Sequence, residues 1–160
     1  MFRIRLKFTK EDPIKYLGHL DMMKLLERAI RRADLPMLYS QGFCPKIKLS
    51  IAWPLSVGMT SSCEYADIQL DKLVSPDKIA PLLNSVLPAG CRVLSASLVD
   101  PKQKSLTEQV SEARWKVIEN NPEKTVHELL LPAGPKNNTR VQDMFPKTAQ
   151  IERVELVLSS

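Results

Sequence analysis

Residues 2–9 alternate without a break: Phe2, Ile4, Leu6 and Phe8 are apolar, while Arg3, Arg5, Lys7 and Thr9 are polar. A two-residue period is that of a strand with one face buried and one face wet, and here the wet face is cationic. By residue 19 the period has lengthened. Placed about 100° apart, Met22, Met23, Leu25, Leu26, Ala29, Ile30 and Ala33 gather on one arc, opposite Asp21, Lys24, Glu27, Arg28, Arg31 and Arg32. The spacing predicts an amphipathic helix over 19–33. Leu35-Pro36 ends it, because proline disfavours helical geometry in the residue before it.

The switch of period recurs along the chain. Ile47, Leu49, Ile51 and Trp53 alternate with Lys46, Lys48, Ser50 and Ala52, and a third strand is expected over 63–70, with Glu64, Ala66, Ile68 and Leu70 on one face. Ser75-Pro76-Asp77 supplies an N-cap, a first helical position and an acidic first turn to a second helix, which Pro81 should bend. A fourth strand follows over 92–99. The order strand, helix, strand, strand, helix, strand predicts an α+β chain with a ferredoxin-like βαββαβ domain at 1–100, both helices on one face of an antiparallel sheet. Residues 101–111 read as a linker. Residues 112–160 read as a small, abbreviated C-terminal α+β lobe, with strands near 114–119, 125–131 and 151–158 and a short helix near 139–145.

Charge narrows the function. Residues 1–60 hold 11 Lys or Arg against 5 Asp or Glu, whereas residues 61–160 hold 12 against 13, so the net +5 comes from the first part of the chain. Such asymmetry favours an anionic partner, RNA above all, or an acidic protein; a plainly solvated basic face has the same composition. Lys24, Arg28, Arg31 and Arg32 share one side of the first helix and suit neighbouring phosphates. Arg3, Arg5 and Lys7 form a second patch, with Lys46 and Lys48 beside it if the two strands pair. In the turn Tyr39-Ser40-Gln41-Gly42-Phe43-Cys44-Pro45, Gly42 allows close backbone approach, and Phe43 either stacks on a base or plugs the turn.

Catalytic chemistry has few candidates. His19, two residues before Asp21, and His127 are the sole histidines, and His19 is the weak candidate for a general base. No phosphate-cradling glycine loop, zinc pattern or clustered cysteines for an iron-sulfur site occurs, so no cofactor and no metal are expected on this chain. Cys44, Cys63 and Cys91 are odd in number and widely spaced, which predicts reduced thiols and a cytoplasmic setting. The opening residues lack the apolar run of a secretory signal or a membrane span.

The succession Gly18-His19-Leu20-Asp21, then residues 27–36, Tyr39 to Pro45, Lys48-Leu49-Ser50, Pro54-Leu55, Gly58 and Glu64-Tyr65 resembles the radical-SAM-linked family of unknown function over roughly residues 1–100. Gly18, Cys44 and Lys46-Ile47 depart from the residues usual in that family. The resemblance implies a bacterial accessory that presents a substrate, RNA or a ribonucleoprotein, to a radical SAM protein. That partner would carry the iron-sulfur cluster and the S-adenosylmethionine. A lone RNA-processing activity with His19 as base is the alternative.

Overall fold

A computed structural model describes residues 1–133 and 140–159. Its elements are β1 (Phe2–Lys10), α1 (His19–Arg32), β2 (Leu49–Ile51), β3 (Thr60–Leu70), α2 (Pro76–Asn84), β4 (Val93–Val99), α3 (Leu106–Gln109), β5 (Val110–Ile118), β6 (Val126–Pro132) and β7 (Gln150–Leu158). Short 3-10 turns occupy Ile14–Tyr16 and Val141–Asp143. The second stands where a short helix is expected near 139–145; Thr139 lies outside the described residues. α3 falls inside the stretch expected to be a linker. Its capping box between Ser105 and Glu108 and its buried Leu106 hold it in place.

The strands form one open, mixed sheet of seven in the order β4-β1-β3-β7-β5-β6, with β2 also against β3. β1 pairs antiparallel with β3 and β4, and β2 pairs antiparallel with β3. The condition under which Lys46 and Lys48 would sit beside Arg3 and Arg5, a direct pairing of the 46–53 segment with β1, is not met: β3 lies between them. Only Leu49–Ile51 of that segment is strand, because Trp53 takes a φ of +26° and breaks the extended run.

The alternation in β1 and β3 decides which face meets the helices. Ile4, Leu6, Phe8, Ala66, Ile68 and Leu70 pack with Met22, Leu26, Ala29 and Ile30 of α1 and with Ile79 and Leu83 of α2 in one core. Each large aliphatic so buried contributes about 1.5–3 kcal/mol. A second core joins Leu106, Val110, Ala113, Trp115, Val117 and Leu156 to Ala52, Leu55 and Met59, which reach across from the first half of the chain. The main-chain seam is short. β3 and β7 run parallel and pair only at Thr60–Glu152 and Ser61–Arg153.

The turn into β4 depends on glycine. Gly90 has a φ of +88°, and a Cβ there would lie 2.8 Å from the carbonyl oxygens of both Glu11 and Asp12. The Gly90 carbonyl in turn accepts the Glu11 N–H at 2.8 Å, tying the end of β1 to the start of β4.

Candidate nucleic-acid interface

α1 starts at Gly18, whose carbonyl accepts the Met22 N–H at 3.0 Å, and it carries Asp21 in its first turn and Arg31 and Arg32 in its last. Both placements complement the helix dipole. Burial of Met22, Leu26, Ala29 and Ile30 fixes the rotation of the helix, so Lys24, Arg28 and Arg32 point outward at four-residue steps. They line an open groove of about 540 Å³ together with Asp21 and the apolar Leu17, Leu25, Ala29, Val86 and Pro88. Four residues of helix advance about 6 Å, so the three cations stand in a row along the groove.

Their freedom differs. Lys24 Nζ lies 3.9 Å from Asp21, and Arg31 donates to Glu27 at 2.6 Å, outside the groove. Among the described residues, Arg28 and Arg32 have neither an ion pair nor a hydrogen bond from the guanidinium. Exposed i,i+4 pairs such as Glu27–Arg31 are worth only about 0.3–0.5 kcal/mol, so Arg31 remains exchangeable.

The second expected patch is engaged internally. Arg5 forms a two-pronged bond to Asp67 at 2.8 and 3.0 Å, and Arg3 donates to the carbonyls of Asp100 and Gln103 at 2.9 and 3.0 Å. Both side chains are largely covered. Asp67 is paired opposite Arg5 across the β1–β3 ladder, so its charge offsets part of the cationic face of β1, while Lys7 stands over the Tyr65 ring with its nitrogen 5.9 Å from the centre. Lys48 lines a recess of about 250 Å³ with Arg3, Ser50 and Asp67, while Lys46 is exposed nearby in sequence.

The turn at Gln41, Gly42 and Phe43 is exposed and does not line the α1 groove. Gly42 has a φ of +129°, a conformation suited to glycine, with open space where a Cβ would be. Phe43 is fully exposed, so it does not plug the turn.

His19 is exposed at the start of α1 and edges a narrow cavity of about 10 Å³ together with Lys10 and Glu64, room for one water at most. Behind it lies a buried ion cluster. Arg153 donates through Nε at 3.0 Å and through a second nitrogen to one oxygen of Glu64, and its remaining nitrogen donates to the Trp53 carbonyl at 2.8 Å. The guanidinium also stands 5.5 Å from the Trp115 ring centre. Lys10 donates to the Leu17 carbonyl at 2.7 Å. Burial holds its ammonium below the usual lysine range, opposed by the neighbouring Glu64 charge. His127 is elsewhere, 2.9 Å from Glu119 and against the Phe145 ring.

The family described as "Uncharacterized protein conserved in bacteria" (DUF2344) matches residues 3–154, almost the whole chain. The chain belongs to this family. Its description names no activity and no radical SAM partner. No curated protein matches the chain.

In this DUF2344 chain the residues that sequence reasoning missed are Lys10, Glu64 and Arg153. Glu64 carried a signal, since it falls on the same predicted face as Ala66, Ile68 and Leu70, where a lone carboxylate needs a partner. Arg153 carried none, because its inward turn depends on a register shift between β5 and β7 at Arg114/Trp115 that sets it opposite Trp115. Cys44, Cys63 and Cys91 are free thiols; burial pushes Cys63 up to about 11 and Cys91 up to about 12, which leaves both unreactive at neutral pH. Among the described residues no cluster of side chains suits a metal ion, and no helix is long and apolar enough to cross a membrane.

Proposed function

We propose that the chain is a non-catalytic accessory that docks the phosphate backbone of RNA, or of a ribonucleoprotein substrate, along α1 and presents it to a radical SAM protein. The observation that carries this reading is the row Lys24, Arg28 and Arg32 along one open groove, with Arg28 and Arg32 unpaired among the described residues. A phosphate chain is recognised by evenly spaced cations that need no base contact. The antiparallel order β4-β1-β3-β2, with α1 and α2 sharing one core, supports a ferredoxin-like reading of the first half. Free cysteines support a reducing, cytoplasmic setting. The radical SAM partner rests on the sequence resemblance.

The test has two arms. Arg28→Glu with Arg32→Glu should abolish binding to single-stranded RNA in fluorescence anisotropy, while Arg3→Gln, an internally bonded site, should leave it intact. Native co-purification should recover a radical SAM protein; RNA affinity unchanged in the double variant, or no such partner recovered, removes the corresponding half of the proposal.

A second reading rests on His19 at the mouth of the cavity with Lys10 and Glu64, a histidine beside a buried lysine and carboxylate. It makes His19 a general base for RNA cleavage. Structured RNA left intact by both wild type and His19→Ala rejects it.

A further inference from the structure

Between α1 and β2 the chain forms an arm whose base is anchored and whose tip is bare. Met37 and Ile47 are buried in the first core, and the Leu38 N–H donates to the Gln69 carbonyl at 2.9 Å, which fixes the base at the end of β3. The two sides of the arm are joined by the Lys48 N–H on the Leu38 carbonyl at 3.0 Å and the Ser40 N–H on the Lys46 carbonyl at 2.8 Å. The Ser40 hydroxyl accepts the Lys46 N–H at 3.0 Å. Beyond these bonds every residue from Gln41 to Pro45 is exposed. Phe43 is 107% exposed, so its ring covers no other part of the chain and both of its faces are open.

The arm is also cationic. From Met37 to Ser50 the chain carries Lys46 and Lys48 and no Asp or Glu. Both lysines are exposed, and among the described residues neither ammonium has an ion pair or a hydrogen bond. Lys46, Lys48 and Ser50 alternate with Ile47, Leu49 and Ile51, which are buried or half-buried, so the two lysines share one side of the arm. A bare ring in this setting fits one class of partner. A protein pocket that grips a phenyl ring makes further apolar contacts around it, but Gln41, Gly42, Cys44 and Lys46 give Phe43 no second large apolar side chain at the tip. A nucleobase needs only the flat face of the ring, and its phosphate chain is drawn by two uncompensated positive charges.

We propose that the arm is a stacking post, Phe43 lying face to face with a nucleobase of single-stranded RNA. It rests on the reading of α1 as an RNA-docking helix and makes unpaired bases the feature this chain selects, because bases inside a duplex are already stacked on one another. Arg32, the last cation of the α1 row, is six residues before Leu38, which places the base of the arm within about 22 Å of it. A strand that runs off the Arg32 end of the row meets the arm. The contact carries no base code, since every base has a flat face.

Fluorescence anisotropy of the full chain with a short labelled oligoadenylate and with a long RNA duplex tests this. Phe43→Leu keeps an apolar side chain and removes the ring. It should weaken oligoadenylate binding about fivefold or more, the loss of one base–aromatic stack, and leave duplex binding unchanged. The slope of affinity against salt should stay at the wild-type value, because the ring neutralises no phosphate. Phe43→Trp should bind oligoadenylate at least as tightly as the wild type. The urea midpoint of both variants should match the wild type, since the ring buries nothing. Oligoadenylate affinity unchanged in Phe43→Leu overturns the proposal alone and leaves the ring to a protein contact. Equal losses on oligoadenylate and duplex, or a Phe43→Trp chain as weak as Phe43→Leu, overturn it too. A wild-type chain that binds neither RNA removes it together with the α1 reading.

Discussion

Replacing Glu64 by glutamine isolates the contribution of the buried cluster at the seam between the two cores. Glu64 is 3% exposed and Arg153 is fully buried, with both bonds from Arg153 to the carboxylate converging on one oxygen. Glutamine keeps the shape and removes the charge, leaving Arg153 without its counter-ion and Lys10 without the carboxylate that favours its charged form. Breaking one side of a buried pair costs about 3–5 kcal/mol, a large part of the roughly 5–15 kcal/mol that holds a domain together. With a urea slope of about 2 kcal/mol/M, the midpoint should fall by about 1.5–2.5 M. Tryptophan fluorescence is the natural assay, because Arg153 bonds the Trp53 carbonyl and stands over the Trp115 ring. Far-UV circular dichroism should give the same midpoint. Glu64→Gln/Arg153→Met should lose less than Glu64→Gln alone, since no unpaired guanidinium remains. A single-variant loss under about 1 kcal/mol, or a double variant no better than the single, refutes the reasoning.

Gly90→Ala should cost more than about 1 kcal/mol in the same urea assay, because the new methyl meets two carbonyl oxygens in a backbone conformation that alanine disfavours. A thiol reagent at mild pH should label Cys44 alone in the native chain and all three cysteines in denaturant; rapid native labelling of Cys63 or Cys91 contradicts their burial. The same two thiols hold their protons longer folded than unfolded, so they withdraw stability as pH climbs from 9 towards about 11 to 12. Lys10, held low when folded, acts with the opposite sign as pH passes upward through its folded value towards 10.5, so Lys10→Met should steepen the alkaline loss measured by urea midpoints across that window.

Much of the architecture was legible because the periods of β1, α1 and α2 are dictated by burial on a single face. Phe2 to Phe8 in β1 and Met22 to Ile30 in α1 lie on the faces their spacing predicts. The ends of elements and the partners across the sheet were not legible. β2 is short because Trp53 leaves the extended conformation, a tertiary effect accompanied by the bond from Arg153 to its carbonyl. The cationic face of β1 was readable from Arg3 and Arg5, but their engagement by Asp67 and by loop carbonyls requires the β1–β3 register and the course of residues 100–104. On α1 the local pattern sufficed: helical geometry alone places Lys24, Arg28 and Arg32 in one row, and the groove wall from Val86 and Pro88 is what tertiary structure adds.

The salt dependence of RNA binding probes the α1 groove most directly. Three neutralised phosphates on a single strand give a log-log slope of affinity against salt near about −2, and removing Arg28 and Arg32 should bring it to about −0.7. Wild-type binding with a flat slope, or a slope that Arg28→Gln/Arg32→Gln leaves unchanged, contradicts phosphate docking along this helix.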